Sequence, residues 1–188
     1  VRSLATVSLL TREEALSKAK AAAAGQSDYL AFYSSILKGI VRDVDLMTVP
    51  FDDHLVHRGH GVFDTALGTF HLHSHFLEFC FLVKDGRVYQ LDQHLDRLVR
   101  SAKESYLCKE KRSLGLIQKE NLKSIILDTI RCAGKRDQLV RYWMGAGTGG
   151  FGISDDECSG PSFYVLCRAY KCGVPMSESC VILCWKGD

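Results

Sequence analysis

Long apolar runs are missing from this chain. Nothing in its 188 residues approaches the roughly 20 consecutive apolar residues that span a bilayer, so no membrane partner is expected. A charge surplus is missing too. Lys and Arg total 24 against 22 Asp and Glu, which gives no electrostatic case for nucleic acid or an anionic surface as partner. Paired cysteines at CxxC spacing are also lacking, although the chain has 8 cysteines. That excludes zinc-ribbon and thioredoxin-like readings. Five of the cysteines (Cys158, Cys167, Cys172, Cys180 and Cys184) fall after position 157. They are expected as free thiols, because a chain of this length buries a core without staples. Asparagine occurs once, at Asn121, and the chain opens on Val1, so its true start is expected upstream. The opening Val1 to Leu10 is weakly apolar with one Arg, too short to read as a targeting segment.

What is present is the balance of a soluble globular protein, with 46% hydrophobic and 24% charged residues. Thr11-Arg12-Glu13-Glu14 has the pattern of a capping box, and the Ala-rich stretch behind it predicts a surface helix stopped at Gly25. Tyr29 to Leu37 reads as a strand, and Val62 to Leu67 as another. Asp85-Gly86 signals a hairpin with Arg87 to Leu91 returning. A helix is expected from Asp92 to about Tyr106, because Leu91, Leu95, Leu98, Val99 and Ala102 share one face. A second helix runs from about Lys119 to Cys132 and ends at Ala133-Gly134. Leu139 to Met144 and Ser162 to Cys167 read as strands. Helices gathered after an antiparallel hairpin predict an α+β fold instead of an alternating parallel sheet.

Two segments carry a resemblance. One is Asp52-Asp53-His54-Leu55-Val56-His57-Arg58-Gly59-His60-Gly61-Val62-Phe63-Asp64-Thr65. The other is Leu91-Asp92-Gln93-His94-Leu95-Asp96-Arg97-Leu98-Val99-Arg100-Ser101-Ala102. A glycine-bearing turn into a Val-Phe-Glu/Asp strand, then a hairpin, then His-x-x-Arg-Leu-x-x-Ser-Ala on a helix, resembles the class IV pyridoxal-phosphate (PLP) enzymes. These are the D-amino-acid and branched-chain aminotransferases and aminodeoxychorismate lyase. Arg141-Tyr142-Trp143 fits the next strand of that family. The likeness spans about Tyr29 to Leu166, and from about Tyr170 the Cys-rich chain is expected to leave the pattern.

The resemblance implies the first, small domain of that fold, an antiparallel sheet with two helices, followed by a truncated second domain. Residues 1–27 would be an extension, 28–146 the first domain, 147–160 an interdomain loop and 161–188 a stub of the second domain. It implies PLP as cofactor, amino acids and 2-oxo acids as small-molecule partners, and a homodimer in the intact family member. It implies a soluble intracellular setting, the cytoplasm or a plastid or other organelle matrix. Arg97 matches the arginine that contacts the PLP phosphate, and a planar guanidinium fork suits that dianion. Phe63 matches an aromatic on the substrate side of the cofactor. Arg58 and His60 lie in the turn before that strand, where functional residues concentrate. Arg141 falls where some relatives meet the substrate carboxylate. The family's Schiff-base lysine lies in a Lys-Ser/Gly-x-Asn-Tyr segment, and no such segment occurs here. The chain alone is therefore expected to be inactive, either a truncated product or a non-catalytic dimer partner.

Two further segments need an account. Residues 68–82 sit where the strand should pass almost directly into its hairpin turn, and they are read as an insertion of non-native coding such as translated intron. Its His71, His73 and His75 alternate, but no carboxylate or Cys completes a metal set, so no metal is expected. Ser105 to Leu116 lengthens the link between the two helices. Gly145 to Gly150 fits G-x-G-x-x-G, which offers a dinucleotide site as a weaker alternative; that reading needs a helix to open at once.

Overall fold

The computed structural model describes residues 7–66, 82–84, 87–88, 90–105, 107 and 117–169. Helix α1 (Arg12–Ala24) starts at the capping box, where Thr11 and Glu14 each satisfy the other's backbone N–H, and Gly25 ends it. None of its residues is buried, so it is the surface helix that its thin apolar face implies.

Strand β1 (Tyr29–Ser34) is shorter than the apolar run suggests. The Ser34 hydroxyl accepts from Leu37 N, Lys38 takes φ 53°, and β2 (Gly39–Val41) returns alongside β1. A short helix, α2 (His54–Arg58), replaces the expected polar turn. Asp53 caps it by accepting from Leu55 N, and Gly59 at φ 65° closes it. β3 (Gly61–Ala66) follows. β4 (Leu82–Lys84) and β5 (Arg87–Val88) pair around Asp85-Gly86, which lie outside the described residues. β5 is shorter than expected, because Gln90 turns left-handed at φ 54° and Leu91 already begins α3.

Helix α3 (Leu91–Glu104) buries Leu91, His94, Leu95, Leu98 and Ala102, the spacing of one helical face. Helix α4 (Lys119–Ala133) buries Leu122, Ile126, Thr129 and Ile130, and left-handed Gly134 ends it. Gln138 fastens that end by donating to the carbonyls of Ile130 and Lys135. On the outer surface Lys119 pairs with Asp96 at 2.6 Å and Lys123 with Asp92 at 2.9 Å. Residues 108–116, most of the longer link between the helices, lie outside the described residues.

β6 (Gln138–Gly145) and β7 (Ser162–Ala169) complete one antiparallel sheet ordered β2-β1-β7-β6-β4-β5, with β3 also on β6. Strand alternation gives the sheet two faces. Val140, Tyr142, Met144, Phe163, Val165 and Cys167 point into the core shared with α3 and α4. Arg141, Trp143 and Tyr164 alternate to the opposite face, where Asp53 and Leu55 lie against Gly61 and Gly145.

Two expectations are corrected here. Residues 162–169 are no stub of a second domain. β7 lies between β1 and β6, pairing with both along most of its length, so it is a central strand of the one sheet. The link before it, 147–160, joins neighbouring strands of that sheet. Nor is the glycine stretch a dinucleotide loop. It follows an antiparallel strand, and bends and a single 3-10 turn (Asp155–Glu157) come after it where a helix is required. Its backbone is spent elsewhere: His54 N donates to Gly147 O, Gly149 N to Asp52 O, and Ser159 N to Thr148 O.

Candidate active site

On the core face of β3, Asp64 lies directly across from Tyr142 of β6. It is a carboxylate at a position 5% exposed, and burial of that charge is costly unless it is paired. α3 supplies the partners. His94 and Arg97 are three residues apart, so they share one side of the helix. His94 Nδ1 lies 3.0 Å from Asp64 Oδ2. Arg97 donates Nε to Oδ2 at 3.2 Å and Nη2 to Oδ1 at 2.5 Å.

Burial alone would raise the Asp64 carboxyl. Hydrogen bonds from His94 and Arg97, and their electrostatic attraction, outweigh it and hold the group below the usual carboxylate range. An ionised carboxylate only accepts, so His94 Nδ1 carries the proton toward it. The 3.2 Å approach of Arg97 Nη2 to the same Nδ1 is then a close contact of two donors around a shared acceptor. The Tyr142 hydroxyl is pushed well up, first by burial and then by the Asp64 charge.

The Arg97 side chain remains 44% exposed. β3 is flanked only by β6 among the described residues, which leaves the guanidinium at the margin of the sheet. Asp64 takes two of its five N–H donors and His94 Nδ1 lies 3.2 Å from Nη2, which leaves the Nη1 donors for an anion. A guanidinium fork suits an anion such as phosphate.

On the face opposite α3, Phe63 opposes Trp143, and Arg141 is one position further along β6 from the pair Asp64–Tyr142. Phe63 is 56% exposed and Arg141 is exposed, so this face offers an aromatic and a cation. His60 is not brought to Arg97. Arg58 is the exposed last residue of α2. His60 Nε2 meets Ser105 O at 3.2 Å, at the far end of α3, about 12 Å along the helix from Arg97.

A second buried polar cluster holds the strand ends together. Tyr164 donates its hydroxyl to Asp53 Oδ2 at 2.7 Å, and Asp53 is fully buried. His54 Nε2 meets Gly150 O at 3.1 Å. This cluster ties α2 to the 145–160 loop.

Asp64, His94 and Tyr142 received no role from sequence, although Asp64 and His94 stand in the quoted motifs. The signal was available: alternation puts Asp64 opposite in direction to Phe63, hence toward the core, where a carboxylate demands partners. His71, His73 and His75 lie outside the described residues, as do Cys80, Cys108, Cys172, Cys180 and Cys184. Cys132 and Cys167 are free thiols, and Cys158 Sγ approaches Gly147 O at 3.7 Å.

This antiparallel α+β sheet with its two packed helices has the fold of part of a fold type IV aminotransferase. The chain belongs to the class IV amino-transferase family, whose family model matches residues 79–187. That match corrects the expectation that the likeness stops near Tyr170; cysteine content is a poor guide to a family boundary. The chain is 39% identical to a chloroplastic D-amino-acid transaminase of Arabidopsis thaliana, over 85% of this chain and 37% of that protein. A putative branched-chain-amino-acid aminotransferase of Methanocaldococcus jannaschii is 32% identical over 44% of this chain and 26% of that protein. Among solved structures, the Escherichia coli branched-chain amino acid aminotransferase superposes with TM-score 0.55 at 18% identity, covering 76% of this chain and 40% of that one. A second branched-chain amino acid aminotransferase, from T.th., is complexed with N-(5'-phosphopyridoxyl)-L-glutamate. It gives TM-score 0.56 at 16% identity, covering 76% of this chain and 41% of that one. These structural likenesses establish the fold. The chain spans about two fifths of the length of these longer relatives.

Proposed function

We propose that this chain forms the phosphate-gripping half of a PLP-dependent transaminase centre that takes a D-amino acid and a 2-oxo acid. The observation that carries the reading is the half-exposed Arg97, fixed by buried Asp64 and beside His94. The D-amino-acid preference is supported by the name of the Arabidopsis relative, and so is a plastid setting. PLP, when bound, supplies the electron sink for the carbanion at the substrate Cα.

The chain's own residues bind and orient. Arg97 would hold the phosphate with the donors that Asp64 leaves free, and Asp64 and His94 are its positioning residues. Phe63 would wall the substrate side from the face opposite α3, and Arg141 would meet the substrate carboxylate. Arg58 and His60 would shape the entrance at the start of β3. A homodimer is the assembly in which these groups would work. No residue of the 188 is assigned the Schiff-base role, since the matching segment does not occur among them. The chain alone is therefore expected to bind the phosphate group without turning over amino acids.

The test uses pyridoxamine 5'-phosphate, which has no aldehyde to label surface lysines. Calorimetric titration of the 188-residue protein should show saturable binding that excess inorganic phosphate displaces. Absence of saturable binding by folded protein, or robust transamination by it, would refute the reading.

A further inference from the structure

Strands β3 and β4 lie end to end along the same edge of β6. Ala66, the last residue of β3, faces Val140, and Leu82, the first of β4, faces Leu139, the adjacent residue of β6. Both strands run antiparallel to β6, so they point the same way. The ladder resumes at the position where it stopped, and none is skipped. Neighbouring positions on a strand are about 3.4 Å apart, a gap that one trans peptide bridges.

The side-chain phase agrees independently. Strand alternation places Val62 and Asp64 on the core face. If Leu82 followed Ala66 directly, Val83 would fall on that same face. It does: Val83 is 0% exposed and belongs to the core cluster. A register slip of a single residue would have turned it to the other face.

Each half is also anchored separately. β3 has six ladder pairs with β6, and Asp64 binds it to α3. β4 has two pairs with β6, two with β5, and Val83 in the core. The family match, moreover, begins at residue 79, close to where the strand resumes.

We infer that β3 and β4 are one strand, that residues 67–81 are an insertion of 15 residues into it, and that a chain without them builds the same sheet. Positions 67 and 82 are both leucine, so removing 67–81 or the 68–82 segment read from sequence leaves the same chain, Ala66-Leu-Val83, and the ladder position of Leu82 agrees with that reading. The inference rests on the sheet alone and is separate from the proposed cofactor chemistry.

Three deletions test it against the full chain by thermal unfolding: residues 67–81, residues 68–81, and residues 67–82. Removing 67–81 keeps register and phase. The other two leave one residue too many or too few, which forces a bulge or flips Val83 outward. Deleting 67–81 should give a cooperative transition roughly 5–10 °C above the full chain, since about fifteen extra residues between two paired strand halves add to the chain entropy lost on folding. Both off-register deletions should melt several degrees below it. The inference is overturned if the 67–81 deletion fails to melt cooperatively, melts below the full chain, or is matched by either off-register deletion.

Discussion

Arg97 meets Asp64 side-on, its Nε and Nη2 both donating to the carboxylate at 3.2 and 2.5 Å. A single point contact would leave the guanidinium free to rotate. Two donors on one carboxylate fix its plane and direct the remaining donors away from β3. A strand residue facing the core thus orients a helix residue facing solvent. This link joins the packing of α3 on the sheet to the chemistry proposed at its margin.

Asp64→Asn keeps the shape of the side chain and removes its charge. It should cost about 1–3 kcal/mol at pH 6 in urea unfolding, the range for losing charge-assisted bonds at a buried site. The pH dependence follows from the lowered Asp64 value. A carboxyl with a depressed folded-state pKa contributes stability above its unfolded value, near 4. That contribution is lost as pH falls through the folded value. The gap between wild type and Asp64→Asn should therefore be full at pH 6 and shrink below about pH 4. A gap that stays constant down to pH 2 would contradict the assignment.

Gly147 and Gly59 both have positive φ, at 107° and 65°. A Cβ on Gly147 would lie 1.7 Å from the Gly160 carbonyl oxygen, whereas one on Gly59 meets nothing within 4 Å. Gly59→Ala carries only the left-handed backbone cost of about 1–2 kcal/mol. Gly147→Ala adds a backbone clash and should destabilise clearly more. Comparable unfolding midpoints for the two variants would show that the 145–160 loop is not packed as described.

Burial, with Cys132 nearby, pushes the Cys167 thiol up to about 12. Only the thiolate reacts, so Cys167 should resist alkylation at pH 8 in the folded protein and react after unfolding. Peptide mapping by mass spectrometry gives the answer, and rapid labelling of native Cys167 would place β7 away from the centre of the sheet.

The periodic parts of this fold were legible. Both long helices show their apolar stripe, and Thr11 and Gly134 mark ends that local chemistry enforces. The short elements were not: α2 is one turn set by Asp53 and Gly59, and its geometry depends on contacts with Gly147 and Gly149 some 90 residues away. The central place of β7 was hidden for the same reason, since strand order is set by non-local pairing. At the site, the motif pointed to Arg97 and Phe63, and the structure puts them at one strand on opposite faces of the sheet. The missing element was Asp64, whose importance comes from facing inward, a property of the paired sheet more than of the local pattern.

The central claim is that Arg97 receives a phosphate group. It is tested most directly by titrating pyridoxamine 5'-phosphate and pyridoxamine into wild type and Arg97→Ala, with thermal unfolding confirming that both proteins are folded. Charge-assisted bonds to one phosphate should make the phosphorylated ligand bind wild type roughly tenfold tighter or more. That advantage should disappear in Arg97→Ala. An equal phosphate advantage in the two proteins, or none in wild type, would contradict the account.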